Sequence, residues 1–486
     1  MKKQIIVGVV IAALSQSSLQ AQDDKDTTRQ YYYRLATSKD AADRALVTGK
    51  LYEGLKSNKE KDWVLSMNMF SVMKKKATAD SLLTVIKNRF PNGEIWRNED
   101  VQAIYNAGTA AEKEAAYNKW LQQYPMKKFE GSRIIYDYAA NSVASAFAEE
   151  KNVKKALYYS NLCQTQAWKG EAWAGAASRL EKNGFTAEAL PLFKKAMNNA
   201  WAFKTIRSKE EGAQFAALGY RGYCTSIARI FLKQKMNDSA LTYIQKAYAE
   251  GMNGSVNYTY TEILQALGRD KEAFEKADEF VQTGEAEKQF KDMHKALYEK
   301  LNAGGKPYAE YMKEMEAAIT KKVIDNLKNT IISKPSPAWV LKDVNGNTVN
   351  SESLKGKVVV LDFWATWCGP CKRSFPAMQM AVNKFKDNPD VQFLFIHTWE
   401  KGEGDATAAA KKYIDDNKYP FRVLMDLKDP ETGSNNVVES FGISGIPTKF
   451  ILDKNGNIRF RVTGFTGSNE AAVEEISAMI DMVEKS

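Results

Sequence analysis

The feature that most constrains the fold of this chain is a run in which an apolar strand leads directly into two cysteines. Residues 358–371 read VVVLDFWATWCGPC. Residues 358–361 form a short continuous apolar stretch rich in β-branched side chains, which predicts a strand covered on both faces of a sheet. Cys368 and Cys371 then follow the carboxyl end of that strand, at the start of a helix. This layout indicates thiol–disulfide chemistry, so the sequence predicts a redox enzyme.

Length and composition predict several packed domains. The chain has 486 residues, and a usual size of about 100 to 200 residues per domain suggests two or three domains. Hydrophobic residues make up 44% of the sequence, with 10 Trp, 22 Tyr and 22 Phe, which excludes wholesale disorder. The formal net charge of +10 falls to +8 without Lys2 and Lys3, and the other lysines are scattered among acids. We therefore expect solvated surfaces and no nucleic-acid partner.

The amino terminus has the pattern of a secretory signal. Lys2 and Lys3 precede an apolar stretch at 5–14, and a polar segment then ends on the small residue Ala21, after which we expect cleavage. The apolar stretch is about half the roughly 20 residues needed to span a bilayer. We predict a signal peptide at 1–21 and a mature protein that is soluble in the periplasm or another exported, oxidising compartment.

Residues 22–333 are predicted to form an all-α domain of helical-hairpin repeats. Helical patterns alternate there with short Gly, Asn or Pro breaks, and runs of β-branched residues are almost absent. An offset of 33 residues aligns Ala144 with Ala177 and Ala156 with Ala189. The anchoring alanines at 156, 189, 240 and 273 are separated by 33, 51 and 33 residues, so one insertion interrupts the period.

The same region resembles the tetratricopeptide repeat, a helical hairpin that recurs about every 34 residues. The residues that carry the resemblance are Trp173, Ala176, Ala177, Leu180, Ala189, Phe193 and Ala196. The resemblance implies a concave surface that could bind a peptide or protein partner. The alternative is that these alanines and aromatic residues serve only to pack the hairpins against each other.

A change of pattern at Lys334-Pro335-Ser336-Pro337 marks the start of a further domain, predicted over 334–486. Closely spaced prolines end the preceding helix. Strands are predicted at 339–343, 358–363, 391–398, 421–426, 448–452 and 458–462, with helices from about 368, at 407–417 and at 470–483. Asn455-Gly456 predicts a hairpin turn. The alternating order implies an α/β sandwich with a mixed sheet.

The two cysteines have distinct predicted roles. At a helix start, unpaired amides and the positive end of the helix dipole favour the thiolate of Cys368, the species that attacks a disulfide. Cys371, one turn along, is expected to lie deeper and close enough to displace a mixed disulfide at Cys368. Pro370 suits the first helical turn, because its missing amide hydrogen would have no helical partner there. Attack by Cys368 and resolution by Cys371 complete a two-electron exchange with the cysteine pair itself as the redox group and no added cofactor.

A zinc site is the competing interpretation of Cys-x-x-Cys, but it needs a second pair of ligands. The remaining candidates, Cys163, Cys224, His294 and His397, are isolated in the sequence, so we expect no metal. His397 is interpreted as a strand-end residue. Cys163 and Cys224 could form a structural disulfide or remain buried thiols, because geometry decides between the two.

Residues 367–371, Trp-Cys-Gly-Pro-Cys, resemble the active site of thioredoxin, and the region 335–486 resembles the exported TlpA/ResA-like thiol-disulfide reductases. The resemblance implies a thioredoxin fold in which Asp362 is a buried aspartate that helps to take the proton from the second cysteine. It implies that Pro447 is a cis-proline that faces the disulfide, and that the backbone before it pairs with the substrate chain. The residues that it assigns to substrate contact are Trp367, Gly369, Pro370, Ile446 and Pro447. The insertion at 401–417 is similar to the additional helix of this group.

One position departs from the family pattern. Many ResA-like members carry a glutamate three residues after the second cysteine, where this chain has Ser374. The proton role therefore falls to Asp362. Its neighbours Leu361 and Phe363 indicate an alternating, half-buried strand, whereas the alternative is a strand-end aspartate exposed to water.

The predicted function is an exported thiol-disulfide oxidoreductase that reduces protein disulfides. The resemblance implies a membrane thiol electron donor and disulfide-bearing exported proteins as partners. One alternative reverses the direction of the same chemistry, as a disulfide oxidase or isomerase. Another makes the helical repeats a peptide-binding scaffold with an accessory redox domain. A peroxidase is disfavoured, because that chemistry uses a single attacking thiol in a different loop.

Overall fold

The computed structural model describes residues 29–129, 133–302, 305–401, 404–465 and 468–485. The predicted signal peptide at 1–21 lies outside the described residues. Contacts within the chain divide it into two compact units, Met1–Gly251 and Met252–Ser486. The domain boundary predicted at 333/334 therefore falls inside the second unit, and it stays a prediction. No helix in the part of the chain that the structure describes combines the length and apolar character needed to cross a membrane.

The described residues of the first unit are helical and contain no strand, as predicted for this region. The helices are α1 Arg29–Thr37, α2 Ala41–Gly54, α3 Glu60–Val72, α4 Lys76–Arg89, α5 Glu94–Asp100, α6 Gln102–Asn106, α7 Ala110–Gln123, α8 Ile134–Glu149, α9 Val153–Ser160, α10 Lys169–Lys182, α11 Thr186–Lys204, α12 Ala213–Leu218, α13 Tyr220–Lys233 and α14 Asn237–Tyr248, with a short 3₁₀ turn at Met126–Lys128.

Helical hairpins account for the repeat. The pairs α8/α9, α10/α11 and α13/α14 pack against each other. Each pair places one small anchor in each helix, and all six side chains are fully buried: Ala144, Ala156, Ala177, Ala189, Ala228 and Ala240. Small side chains at such crossings let two helices approach closely. The 51-residue step between Ala189 and Ala240 is where α12 is inserted, so the predicted interruption is a real helix. The relationship to tetratricopeptide repeats stays a prediction.

The second unit combines further helices with one sheet. Its helices are α15 Gly254–Ala266, α16 Asp270–Val281, α17 Lys288–Leu301, α18 Tyr308–Thr330, α19 Gly369–Phe385, α20 Ala406–Asp416, α21 Asn436–Ser440 and α22 Asn469–Glu484, with a 3₁₀ turn at Ser351–Leu354. Its strands are β1 Lys334–Pro335, β2 Val340–Asp343, β3 Thr348–Asn350, β4 Val358–Trp364, β5 Val391–His397, β6 Val423–Met425, β7 Thr448–Leu452 and β8 Asn457–Thr463. The helices α15 and α16 form another hairpin of the predicted series, because they bury Leu264 and Ala273.

The sheet is mixed, with strand order β1-β8-β7-β4-β5-β6-β2-β3. At its centre, β4 pairs in parallel with β5 and antiparallel with β7. The hairpin predicted at Asn455-Gly456 joins β7 to β8. The helix predicted within 401–417 is α20, which lies between β5 and β6 in the chain. The part of the second unit that contains the sheet therefore has the α/β thioredoxin fold expected from the sequence.

The two faces of β4 carry different side chains. Val360 and Trp364 belong to the core that α19 and α22 cover, whereas Leu361 and Phe363 belong to the core on the opposite face. Side chains alternate along a strand, so Asp362 points to the same face as Val360 and Trp364. The strand thus carries a carboxyl group into the layer of the fold that also contains the two cysteines.

Candidate active site

The end of β4 and the start of α19 bring the two cysteines together. Cys368 is the N-cap of α19, and its Sγ accepts a hydrogen bond of 3.2 Å from the backbone amide of Cys371. Pro370 occupies the first turn, as predicted. The two sulfurs form a disulfide, with Cα atoms 5.3 Å apart. Cys371 is fully buried, whereas 2% of the Cys368 surface is exposed.

This arrangement distinguishes the two sulfurs electrostatically. In the reduced state, an amide hydrogen bond and the positive end of the α19 dipole both act at Cys368, and both stabilise a thiolate there. Both cysteines belong to the same apolar core, but Cys371 lies inside the helix, away from the unpaired amides at its start. The helix start therefore favours a thiolate at Cys368 over one at Cys371.

The loop that precedes β7 approaches the disulfide. The Ile446–Pro447 peptide bond is cis, as the resemblance implied. The Sγ of Cys368 lies 3.7 Å from the carbonyl oxygen of Ile446. Ile446 is half-buried and Pro447 is buried. The residue before the cis-proline thus lies where its backbone can meet a chain that reaches Cys368.

Trp367 forms an exposed rim beside the disulfide. Its side chain is 41% exposed, and its indole Nε1 donates a hydrogen bond of 2.8 Å to the carbonyl oxygen of Trp399. The ammonium of Lys401 lies 3.8 Å from the centre of the Trp367 ring, a cation–π contact. Gly369 is half-buried and Pro370 is exposed. The residues assigned to substrate contact therefore surround Cys368, with Trp367 as the most prominent apolar surface.

Asp362 is 1% exposed, so the interpretation of this residue as an exposed strand-end aspartate is wrong. Burial raises its pKa, and the charge of Lys449 opposes that rise. The Nζ of Lys449 lies 3.4 Å from Oδ2 of Asp362. Ser374 takes the place of the family glutamate, and its hydroxyl donates to the carbonyl oxygen of Cys371 over 2.8 Å. Asp362 is therefore the buried carboxyl group on the face of β4 that α19 covers.

Lys449 was missed by the sequence reasoning. It lies on β7 directly opposite Asp362 in the antiparallel register and is only 4% exposed. A lysine within an otherwise apolar strand was the available signal, because a buried lysine needs a partner. Its partner could be identified only from the pairing of two strands that are distant in the sequence.

A second missed group holds the loop before Cys368. The carboxylate of Glu400 accepts hydrogen bonds from the Thr366 hydroxyl at 2.7 Å and from the Thr366 amide at 3.2 Å, and lies 2.7 Å from His397 Nε2. Burial would raise the pKa of Glu400, but the hydrogen bonds from Thr366 and His397 outweigh it and the pKa is lowered. Burial lowers the pKa of His397, against the opposing charge of Glu400. This network ties the end of β5 to the segment that leads into α19.

His397 and the two remaining cysteines have defined places in the structure. His397 is the last residue of β5, as predicted. Throughout the described ranges, no group of three or more histidine, cysteine or acidic side chains is arranged to hold a metal ion. Cys163 and Cys224 are buried free thiols rather than a disulfide. Burial raises the pKa of Cys163 to about 12 and that of Cys224 to about 11, which suppresses the thiolate form of both.

Comparisons with known proteins bear on the same region. Residues 332–461 match the AhpC/TSA family. The thiol-disulfide oxidoreductase ResA of Bacillus subtilis (strain 168) is 31% identical over 129 residues, which are 26% of this chain and 65% of that protein. ResA of Bacillus thuringiensis (strain Al Hakam) is 29% identical over 134 residues, 27% of this chain and 70% of that protein. A solved Chlorobium tepidum protein, provisionally named thiol:disulfide interchange protein DsbE, is 31% identical with a TM-score of 0.26 and covers 30% of this chain and 96% of its own.

The family match includes Asp362, both cysteines and the cis-proline loop. Enzymes of this class exchange electrons through a redox-active cysteine pair and need no external cofactor. The disulfide between Cys368 and Cys371 is such a pair, at a helix start and beside a cis-proline. Residues 332–461 are therefore similar to the thioredoxin-like thiol-disulfide oxidoreductases, with ResA enzymes among the relatives, and the chain is a thiol-disulfide oxidoreductase.

Proposed function

We propose that this oxidoreductase works as an exported reductase of protein disulfides. The observation that carries the proposal is the asymmetry of the cysteine pair: Cys368 is the N-cap of α19 and its Sγ accepts an amide hydrogen bond, whereas Cys371 lies inside the helix, one turn further on. The thiolate of Cys368 attacks one substrate sulfur, the substrate disulfide breaks, and the other substrate sulfur leaves as a thiolate. A mixed disulfide then joins Cys368 to the substrate.

Resolution follows from the inner cysteine. The thiol of Cys371 gives up its proton and attacks Cys368, so that the mixed disulfide breaks and the second substrate sulfur leaves. The Cys368–Cys371 disulfide is formed, and the substrate has gained two electrons and, from solvent, two protons. Asp362 is our candidate for the base that takes the Cys371 proton, because it points to the same layer and Ser374 cannot take that role.

Substrate contact is assigned to the rim around Cys368. The proposed contacts are Trp367, Gly369, Pro370, Ile446 and Pro447. The carbonyl group of Ile446 would pair with the backbone of a bound chain, and Trp367 would supply apolar area next to the scissile disulfide. The substrates are disulfide-bearing exported proteins, and a membrane thiol donor returns the pair to the dithiol form. Export is supported by the signal pattern at 1–21.

The direction of electron flow is tested by the reduction potential of the Cys368–Cys371 pair. The protein lacking residues 1–21 is equilibrated in glutathione buffers, quenched with acid, alkylated, and analysed by mass spectrometry of the peptide that contains both cysteines. A potential near thioredoxin's, about −270 mV, supports a reductase. A potential near the strong-oxidase value of about −120 mV would replace it with a disulfide oxidase or isomerase, since the two differ by about 7 kcal/mol.

A further inference from the structure

We propose that Lys449 is a positioning residue for the exchange: its buried ammonium favours the carboxylate form of Asp362, the form that accepts the proton of Cys371. The inference rests on the proposed function, because it assigns a role within the same resolution step. Lys449 lies on β7, whereas Asp362 lies on β4 and the two cysteines lie at the start of α19.

The geometry of the pair is set by the sheet. Asp362 and Lys449 are direct cross-strand partners in the β4–β7 register. Val360 and Ile451 belong to the core that α19 and α22 cover, so alternation places Asp362 and Lys449 on that same face. The ammonium lies 3.4 Å from Oδ2 of Asp362, and the residues are 4% and 1% exposed. Register and pleat therefore make this pair unavoidable in the folded sheet.

The Asp362–Lys449 pair is not stabilised by hydrogen bonds from other described groups. Among the described residues, neither carboxylate oxygen of Asp362 nor the ammonium of Lys449 makes a contact with hydrogen-bond geometry, so the 3.4 Å contact between them is an ion pair. A buried charge without hydrogen-bond partners is costly, and the cost is reduced mainly by an opposite charge nearby. The ionisation of Asp362 therefore depends on Lys449 more than it would in a carboxylate that accepts several hydrogen bonds.

A third charged group shares the ammonium. The helix α22 contacts both β4 and β7, and Glu475 lies one helical turn before Met479, which is buried in the core between them. Burial raises the pKa of Glu475, and the charge of Lys449 opposes that rise. The remaining cross-strand partners are uncharged: Phe395 on β5 stands opposite Asp362, and Val462 on β8 stands opposite Lys449. One ammonium thus serves two carboxyl groups.

This arrangement makes opposite predictions for the two neighbours of Asp362. Without the Lys449 ammonium, burial alone acts on Asp362, which then holds its proton to higher pH and cannot act as a base at pH 7. Without the Glu475 carboxylate, Lys449 serves Asp362 alone, and Asp362 becomes a base at lower pH. If Lys449 had only a structural role, removal of Lys449 and removal of Glu475 would not shift the pH dependence of resolution in opposite directions.

The experiment follows the resolution step optically in the full chain. Reduced protein is mixed with 5,5′-dithiobis(2-nitrobenzoate): attack by Cys368 releases one thionitrobenzoate, and attack by Cys371 on the resulting mixed disulfide releases a second. The rate of the second release is measured from pH 5 to 9 in wild type, Lys449→Met and Glu475→Gln. Lys454→Met is the matched control, because Lys454 is 43% exposed and pairs with Asp390 at the surface.

We expect Lys449→Met to slow the second release at pH 7 about tenfold or more and to move its pH profile upward, with the first release unchanged. Glu475→Gln should move the profile downward, and Lys454→Met should leave it in place. In an Asp362→Asn background, Lys449→Met should have no further effect, because both act through one base. Unchanged profiles in both Lys449→Met and Glu475→Gln would overturn the inference.

Two further outcomes are informative. If Lys449→Met does not fold, Glu475→Gln alone decides, since that half-buried surface substitution tests the same coupling from the other carboxyl group. If wild-type protein shows no second release at any pH, the proposed resolution by Cys371 fails, and the role of Lys449 fails with it. If the second release is normal and its pH profile is the same in wild type and the variants, the role of Lys449 is rejected and resolution by Cys371 stands.

Discussion

Replacing Lys449 with methionine should destabilise the sheet in a strongly pH-dependent way. At 3.4 Å and an effective dielectric constant of about 20, the attraction between Lys449 and Asp362 is about 5 kcal/mol. Removing one partner of a buried pair generally costs about 3 to 5 kcal/mol, because the other charge is left without compensation. The loss arises only where Asp362 is ionised, since a neutral carboxyl group needs no cation.

The sign follows from the raised pKa of Asp362. Burial of this carboxyl group costs nothing below its pKa in the unfolded chain and costs most above its pKa in the folded chain. Lys449→Met raises the folded pKa further, so the variant loses stability relative to wild type as the pH rises through the wild-type folded pKa. Below that pH the difference should shrink to near zero.

Hydrogen exchange in the intact, oxidised chain measures this directly, because it reports the opening of β4 and β7 without requiring the whole protein to unfold in one step. At pH 8 we expect amides of Val358–Trp364 and Thr448–Leu452 to exchange about a hundredfold to a few thousandfold faster in Lys449→Met than in wild type. At pH 4.5 the ratio should be much smaller. Lys454→Met, which breaks an exposed pair, should change the exchange by less than about tenfold. An equal ratio at both pH values would refute the electrostatic reasoning.

Three substitutions test the rest of the site. Asp362→Asn should slow disulfide reduction at pH 7 by about a hundredfold and leave a residual rate that rises toward alkaline pH, where Cys371 deprotonates unaided; a flat, wild-type profile in a turnover assay would remove Asp362 from the mechanism. Glu400→Ala should release the segment around Thr366, at a cost of about 1 to 3 kcal/mol, seen as faster hydrogen exchange there together with lower turnover; unchanged protection would mean that the network is not what holds the segment. Trp367→Ala should raise KM for a disulfide peptide more than it lowers kcat, and an unchanged KM would exclude Trp367 from substrate contact.

Local patterns were sufficient for much of the fold. The apolar run before Cys368 predicts a central strand, and all seven residues of β4 are buried. The small anchors at 144, 156, 177 and 189 predict paired helices, because only small residues permit such close crossings. The short strands β1 and β3 were not predicted. Their two and three residues have no pattern of their own, and their extended conformation comes from pairing with β8 and β2.

The residues of the site also fall into those that the sequence predicted and those that it could not. Cys368 and Cys371 are close in the sequence, so spacing predicted their arrangement, and the resemblance to thioredoxin implied the buried Asp362. Lys449 and Glu400 could not be assigned, since their partners are fixed by strand register and by a loop that returns to the start of α19. Both are polar groups whose role depends on what else is buried beside them. Periodicity shows that a residue faces the core but does not identify its neighbours there.

The most direct test of the central claim is to identify the cysteine that bonds to substrate. Reduced Cys371→Ser protein is mixed with a disulfide-bearing protein, and the covalent complex is digested without reducing agent and sequenced by mass spectrometry. We expect a stable mixed disulfide at Cys368, which forms because Cys371 is no longer present to resolve it, and no complex with Cys368→Ser. A complex through Cys371 in Cys368→Ser, or through Cys163 or Cys224 in either variant, would contradict the assignment of Cys368 as the nucleophile.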